Sequence, residues 1–207
     1  MSSDKEQLEA SQPDYPGVID KTELKYSGPC DLTLDPNTAC SYLLLSDGDT
    51  KATFGKWQGY PENSERFNPY PQVLCSQGLK ERHYFEVEWS SGSNNEVGVG
   101  LAYRNIPRKG DAEHCGFGYN NLSWYFGISN NYLRAFHDNK PWTGNVPSGG
   151  CNRIGVYLDW SGGALTFYRV SSNGLTLLYT FKDTFTAPLF PGLYMKNQSN
   201  YAALFSV

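Results

Sequence analysis

Apolar residues in this chain recur at every second position over short runs, and that period constrains the fold more than any other feature. In His83-Tyr84-Phe85-Glu86-Val87-Glu88-Trp89, Phe85, Val87 and Trp89 fall on one side and Tyr84, Glu86 and Glu88 on the other. A period of two sends alternate side chains to opposite faces of a strand, so one face of this run is buried. The same reading predicts strands at Leu43–Leu45, Lys51–Gly55, Val73–Cys75, Glu96–Ala102, Ser123–Ser129 and Tyr132–His137. Further strands are expected at Arg153–Trp160, Ala164–Val170, Leu175–Phe181, Leu189–Met195 and Ala202–Val207. Asn130-Asn131 tolerates the positive φ of a tight hairpin turn, and Ser161-Gly162-Gly163 supplies a second. Gln58–Gln72, with Pro61, Pro69 and Pro71, reads as a loop because proline lacks the donor that a central strand needs. Asn139–Gly150 also reads as a loop. Short strands at steady spacing with almost no helical pattern predict an all-β antiparallel sandwich, not a parallel α/β sheet.

Length and composition agree with one such domain. The chain has 207 residues, 39% hydrophobic and 18% charged, enough apolar content for a sizeable core. Residues 1–23 carry six acids against two bases, whereas the rest of the chain is balanced. They read as a flexible acidic linker, although Val18–Leu24 has the character of a short helical turn or docking segment. A neutral body without a basic stripe argues against nucleic-acid binding. The five cysteines, Cys30, Cys40, Cys75, Cys115 and Cys151, are odd in number and lack paired short spacing, as expected of reduced, buried thiols. No run is long and apolar enough for a signal peptide or a membrane span, so the expected location is cytoplasmic. Met1 beside a linker-like stretch fits a piece of a longer protein.

Catalytic and metal chemistry find little support in the residues. Structural zinc needs four ligands with short paired spacings, and His114-Cys115 is one adjacent pair in an expected loop. There is no Gly-x-Ser-x-Gly elbow, and no helix to host one. Glu86 and Glu88 face the same way, two residues apart on one strand, a spacing open to a glycosidase-like carboxylate pair. Val97-Gly98-Val99-Gly100 precedes no helix and is not a dinucleotide loop. Its glycines suggest close sheet packing or a bend. Arg104, Arg108 and Lys109 read as a solvated basic turn. No enzyme activity, cofactor or metal is expected.

Four stretches taken together carry a family resemblance. They are Leu34-Asp35-Pro36; His83–Trp89; Val156-Tyr157-Leu158-Asp159-Trp160 running into Leu165-Thr166-Phe167-Tyr168; and Pro188-Leu189-Phe190-Pro191-Gly192. In order and spacing they resemble the PRY–SPRY domains, especially those found in fishes at the C-terminus of tripartite-motif ubiquitin ligases, Nod-like receptors and stonefish-type toxins. Phe85 stands where the family usually has Trp, and Trp160-Ser161 where it has Tyr-Glu; both aromatic changes keep a large ring. The resemblance covers residues 24–207, with PRY at about 27–75 and SPRY at about 78–207. It implies a bent two-sheet sandwich of concanavalin-like jelly-roll type behind a short N-terminal extension. It also implies a non-catalytic domain whose variable loops hold a protein or peptide.

Strand parity and the resemblance together nominate a binding face. Trp124, Phe126 and Ile128 belong in the core, so Tyr125, Gly127 and Ser129 face outward toward the concave surface that the family uses. Antibody-binding relatives carry tryptophans at the positions of Gly127 and Ser129, and the small residues here predict a deeper or flatter hollow. By the same alignment Glu96 takes the place of a contacting acid, and Lys196, Asn197 and Gln198 form a contacting loop. Tyr103, Arg104, Tyr132 and Trp142 complete the candidates, with Trp142 favoured as an anchor because a Trp in a polar loop has little core to join. The leading expectation is a specificity module of a larger immune or ubiquitin-ligase protein, with any oligomerisation supplied by upstream regions. The alternatives are a lectin-like or small-ligand sandwich, in which Tyr125, Trp142 and the Asn130-Asn131 turn contact a sugar, and the C-terminal domain of a pore-forming fish toxin.

Overall fold

The computed structural model describes residues 17–90 and 92–207. In sequence order the strands are β1 (Val18–Ile19), β2 (Leu43–Ser46), β3 (Lys51–Phe54), β4 (Asn68–Pro69), β5 (Gln72–Leu74), β6 (Arg82–Trp89), β7 (Glu96–Ala102) and β8 (Lys109–Gly110). A single helical turn, α1 (Ala112–Cys115), leads into β9 (Ser123–Ser129), β10 (Tyr132–His137), β11 (Lys140–Asn145) and β12 (Arg153–Asp159). The last strands are β13 (Ala164–Ser171), β14 (Gly174–Lys182), β15 (Phe190–Met195) and β16 (Tyr201–Phe205). Eight strands form one sheet in the order β1-β14-β13-β12-β6-β16-β3-β2, and six form a second, β11-β10-β9-β7-β15-β5. Every pairing within these two sheets is antiparallel. A short parallel pair, β4 with β8, lies outside them.

The core fills the space between the two sheets, and alternation decides who enters it. Phe85, Val87 and Trp89 of β6, Val156 and Leu158 of β12 and Phe167 of β13 meet Val97, Val99 and Leu101 of β7 and Phe126 of β9, all essentially without exposure. Phe126 and Phe167 stack across the gap, with centroids 4.7 Å apart and planes 13° from parallel. Losing either ring would cost about 3–5 kcal/mol, because a close-packed interior collapses only partly into the void. The indole N–H of Trp89 donates to the Cys151 carbonyl at 2.9 Å, so its one polar atom is satisfied inside. All five cysteines are free and buried.

Four local expectations are corrected. Of the expected 1–23 linker, residues 1–16 lie outside the described residues, whereas Val18–Ile19 pair with Leu175–Thr176 at the edge of the large sheet. Lys21–Glu23 then form a 3-10 turn closed by an Asp20/Glu23 capping box. Second, the expected 139–150 loop contains strand β11, which follows β10 through Asp138-Asn139, both at positive φ (50° and 58°). That dipeptide marks the turn, since Asp and Asn tolerate the left-handed region. Third, Arg108 is not part of a solvated turn: it is buried and donates to the carbonyls of Ile106, Glu65 and Arg104. Fourth, His114 lies in a helical turn instead of a loop, where its Nδ1 meets Asp111 at 2.5 Å.

Candidate functional site

Register places the outer face of the six-stranded sheet as a grid. Glu96 on β7 lies opposite Ser129 on β9, and Ser129 opposite Tyr132 on β10. In the next row Tyr194 of β15 faces Gly98, Gly98 faces Gly127, and Gly127 faces Arg134. A third row runs Gly192, Gly100, Tyr125 and Phe136. The glycines leave bare backbone on which neighbouring rings can lie flat. A Cβ built at Gly98 would come within 2.5 Å of the Tyr125 ring, and one built at Gly100 within 2.5 Å of the Phe117 ring. Tyr125 therefore lies across Gly98 and Gly127 and is only 7% exposed. The space above Gly127 is thus occupied by Tyr125, and the open part of this face lies beside Ser129.

What remains open is a hollow of about 460 Å3, counting the space continuous with solvent. Tyr70, Glu96, Tyr125, Ser129, Arg134 and Tyr194 supply its polar lining, and Phe117, Tyr119 and Phe136 close the walls. Tyr194 donates to Glu96 Oε1 at 2.6 Å. Tyr70 stacks on Tyr194 with centroids 5.3 Å apart, and Tyr125 meets Tyr194 edge-on at 5.8 Å. On the far wall Tyr119 stacks on Phe136 at 5.3 Å, and the Arg134 guanidinium lies over Phe136 at 5.0 Å. Burial pushes the hydroxyls of Tyr70, Tyr125 and Tyr194 well up from the ordinary phenol value, so they stay neutral donors at physiological pH. Two opposite charges thus stand on β7 and β10, two strand spacings across and two residues along, roughly 12 Å between their Cα atoms, with the Tyr125 hydroxyl over Gly98 and Gly127 between them.

The nominated residues divide into two groups. Glu96, Tyr125 and Ser129 line the hollow, Gly127 forms floor beneath Tyr125, and Tyr132 is half exposed in the same row as Ser129. The 196–198 loop forms an adjoining rim: Lys196 N donates to the Glu96 carbonyl at 3.1 Å, Asn197 donates to the Asn94 carbonyl at 2.8 Å, and Gln198 is exposed. Tyr103 and Arg104 lie beyond the far end of β7, seven residues or roughly 23 Å from Glu96. There Tyr103 packs edge-on against Trp124 at 5.3 Å and accepts from Thr186 N, while Arg104 pairs with Glu65 at 3.1 Å. Trp142 pairs with Ala135, whose side chain is fully buried, and so faces away from the hollow; its ring packs on Tyr179 at 4.8 Å. The reason it was expected to project is removed, because the strand gives it a core to join. Sequence reasoning missed Tyr70, Phe117, Tyr119, Arg134, Phe136 and Tyr194. Parity of β10 would have found Arg134 and Phe136, since Leu133 and Ala135 take the core side; Tyr70 and Tyr119 come from loops and leave no such signal.

Beneath the opposite sheet face, Glu86 is 1% exposed and accepts from Lys21 Nζ at 2.6 Å, Arg153 Nε at 2.6 Å and the Tyr84 hydroxyl at 2.9 Å. Glu88 is held by Arg153 at 3.6 Å. This pair is thus structural. Among the described residues no group of three His, Cys, Asp or Glu side chains is placed to hold a metal, and no helix is long and apolar enough to cross a membrane.

Comparison with known proteins accounts for this architecture. The SPRY-associated domain (PRY) matches residues 32–79, and the SPRY domain matches residues 82–206. Stonustoxin subunit alpha of Synanceia horrida is 41% identical over 84% of the chain, which spans 25% of that toxin subunit. Tripartite motif-containing protein 16 of Mus musculus is 33% identical over 83% of the chain, which spans 30% of it. The crystal structure of the TRIM65 PSpry domain superposes with a TM-score of 0.75 at 28% identity, covering 84% of this protein and 89% of that domain. The chain therefore spans between a quarter and a third of these two curated relatives, and it belongs to the SPRY domain family, with the PRY segment ahead of the SPRY domain.

Proposed function

We propose that the domain is a non-catalytic recognition module that holds a protein or peptide in the hollow between Glu96 and Arg134. The observation that carries this reading is the hollow itself: opposed charges, neutral tyrosine hydroxyls and ring edges converge on an outer sheet face. Tyrosine-rich surfaces bury much area at little rotamer cost, which suits protein contacts. Tyr132 and the 196–198 loop are rim contacts in this reading. The similarity to tripartite-motif proteins supports a role as specificity module of a larger immune or ubiquitin-ligase protein, with assembly supplied by other regions. The free, buried thiols are in keeping with a reducing, cytoplasmic setting. The toxin relatives favour a second setting, the recognition domain of a cytolytic protein.

Ser129→Trp fills the hollow from its partly exposed rim without entering the core. Proximity labelling by the full-length protein in its own cells, run beside a glycan array, tests the reading. Proteins labelled by the wild type and lost with Ser129→Trp are expected. Labelling that is indifferent to the substitution would sink it, and Ser129-sensitive glycan binding would replace it with the lectin reading.

A further inference from the structure

The two charges of the hollow are unequally satisfied. Glu96 already accepts a short hydrogen bond from Tyr194 at 2.6 Å, and its backbone N–H donates to Asn200 Oδ1 at 2.9 Å. Arg134 is in the opposite condition. Its Nε is enclosed and has no hydrogen-bond partner among the described residues, although its guanidinium is packed over Phe136. An enclosed donor on a charged group is expensive to leave unmet, and a ring face returns only part of what an oxygen acceptor would. No ion pair joins Arg134 to Glu96 among the described residues, so the hollow keeps its positive end unneutralised. Tyr125 and Tyr119 line the same space, and their hydroxyls are able to donate to a second oxygen.

We infer that the partner anchors itself by inserting a carboxylate against Arg134. This rests on the reading of the hollow as the recognition site and names what enters it. The planar fork of a guanidinium matches the two oxygens of a carboxylate, and the aromatic walls strip water from the pair, which strengthens it. Glu96, at the other end of the hollow, disfavours a second acid there and so sets the direction of insertion; a partner with its carboxylate beside a backbone N–H or a cationic residue fits best. The carboxylate can come from an internal Asp or Glu or from the terminal carboxyl group of a peptide.

Affinity selection of the whole domain from a soluble random hexapeptide library, made in free-acid and amidated forms, tests this. Selected peptides that share an Asp or Glu in both forms identify an acidic side group, and selection from the free-acid form alone identifies a terminal carboxyl. In either case Arg134→Gln is expected to weaken binding about tenfold or more, Arg134→Lys to weaken it less, and Ser129→Trp to abolish it. Circular dichroism of each variant separates loss of binding from loss of fold. Peptides that are displaced by Ser129→Trp but carry no carboxylate, or that bind Arg134→Gln as well as wild type, overturn the inference and leave the site reading standing. Selected peptides that are all indifferent to Ser129→Trp overturn both.

Discussion

A Cβ built at Gly127 would stand 2.5 Å from the Val97 carbonyl oxygen and would run into the Tyr125 ring. Residue 127 and the Tyr125 ring therefore compete for one volume on the outer sheet face. Gly127→Ala is expected to destabilise the fold by about 1–3 kcal/mol, the usual cost of overpacking. Adding Tyr125→Ala to it should recover part of that loss if the ring is the obstacle. Urea denaturation of the two single variants and the double variant checks the coupling; strictly additive losses would place the strain on the Val97 backbone instead. That Gly127 and Ser129 put the smallest side chains on this face was legible in the sequence. Their consequence was not legible, because which neighbour fills a vacancy depends on cross-strand register and ring direction.

At the scale of elements, the segment from Val18 to Tyr26 acts as a strap over the outer face of the large sheet. Strand β1 adds to β14, Lys21 reaches Glu86, Tyr26 packs on Tyr84 with centroids 5.4 Å apart, and Tyr157 donates to the Lys25 carbonyl at 2.9 Å. Burial alone would push the Glu86 carboxyl up, but hydrogen bonds from Lys21, Arg153 and Tyr84 outweigh it and hold the group below its ordinary value of 4.5. A depressed carboxyl contributes stability that is present above the unfolded value and is lost as pH falls through the folded one. Lys21→Met should therefore cost about 1.5–3 kcal/mol at pH 7, and the difference from wild type should shrink at pH 3. Denaturant titrations at both pH values check this, and a gap that stays constant with pH would remove Glu86 from the explanation. Val18–Leu24 was readable as a docking piece. The long-range partner Glu86 was not, since an acid alternating along a strand looks the same whether water or a strap covers it.

Over the whole molecule, the cysteines report how completely the core is closed. Burial pushes the thiols of Cys30, Cys115 and Cys151 up to about 11 and raises those of Cys40 and Cys75 as well. Thiolate is the reactive species, so Ellman's reagent at pH 7.5 should label the native protein far more slowly than the unfolded polypeptide, in which all five cysteines are titrated. Rapid native labelling of even one would show an opening in the sandwich. The sequence by itself determined the sandwich. Alternation fixes which side chains of β6, β7 and β9 enter the core, and turn residues such as Asn130-Asn131 fix where the backbone reverses, because both are local properties of the polypeptide. Parity also placed Tyr125 and Ser129 on the outer face, whereas Glu96 was nominated by the family resemblance and not by the pattern of its own strand. Only the tertiary structure decided that Trp142 packs inward on Tyr179, that Tyr103 and Arg104 stand at the far end of β7, and that Tyr70 and Tyr119 are brought from loops to complete the hollow. Those outcomes depend on which distant strands become neighbours and in what register, and no short stretch of sequence contains that information.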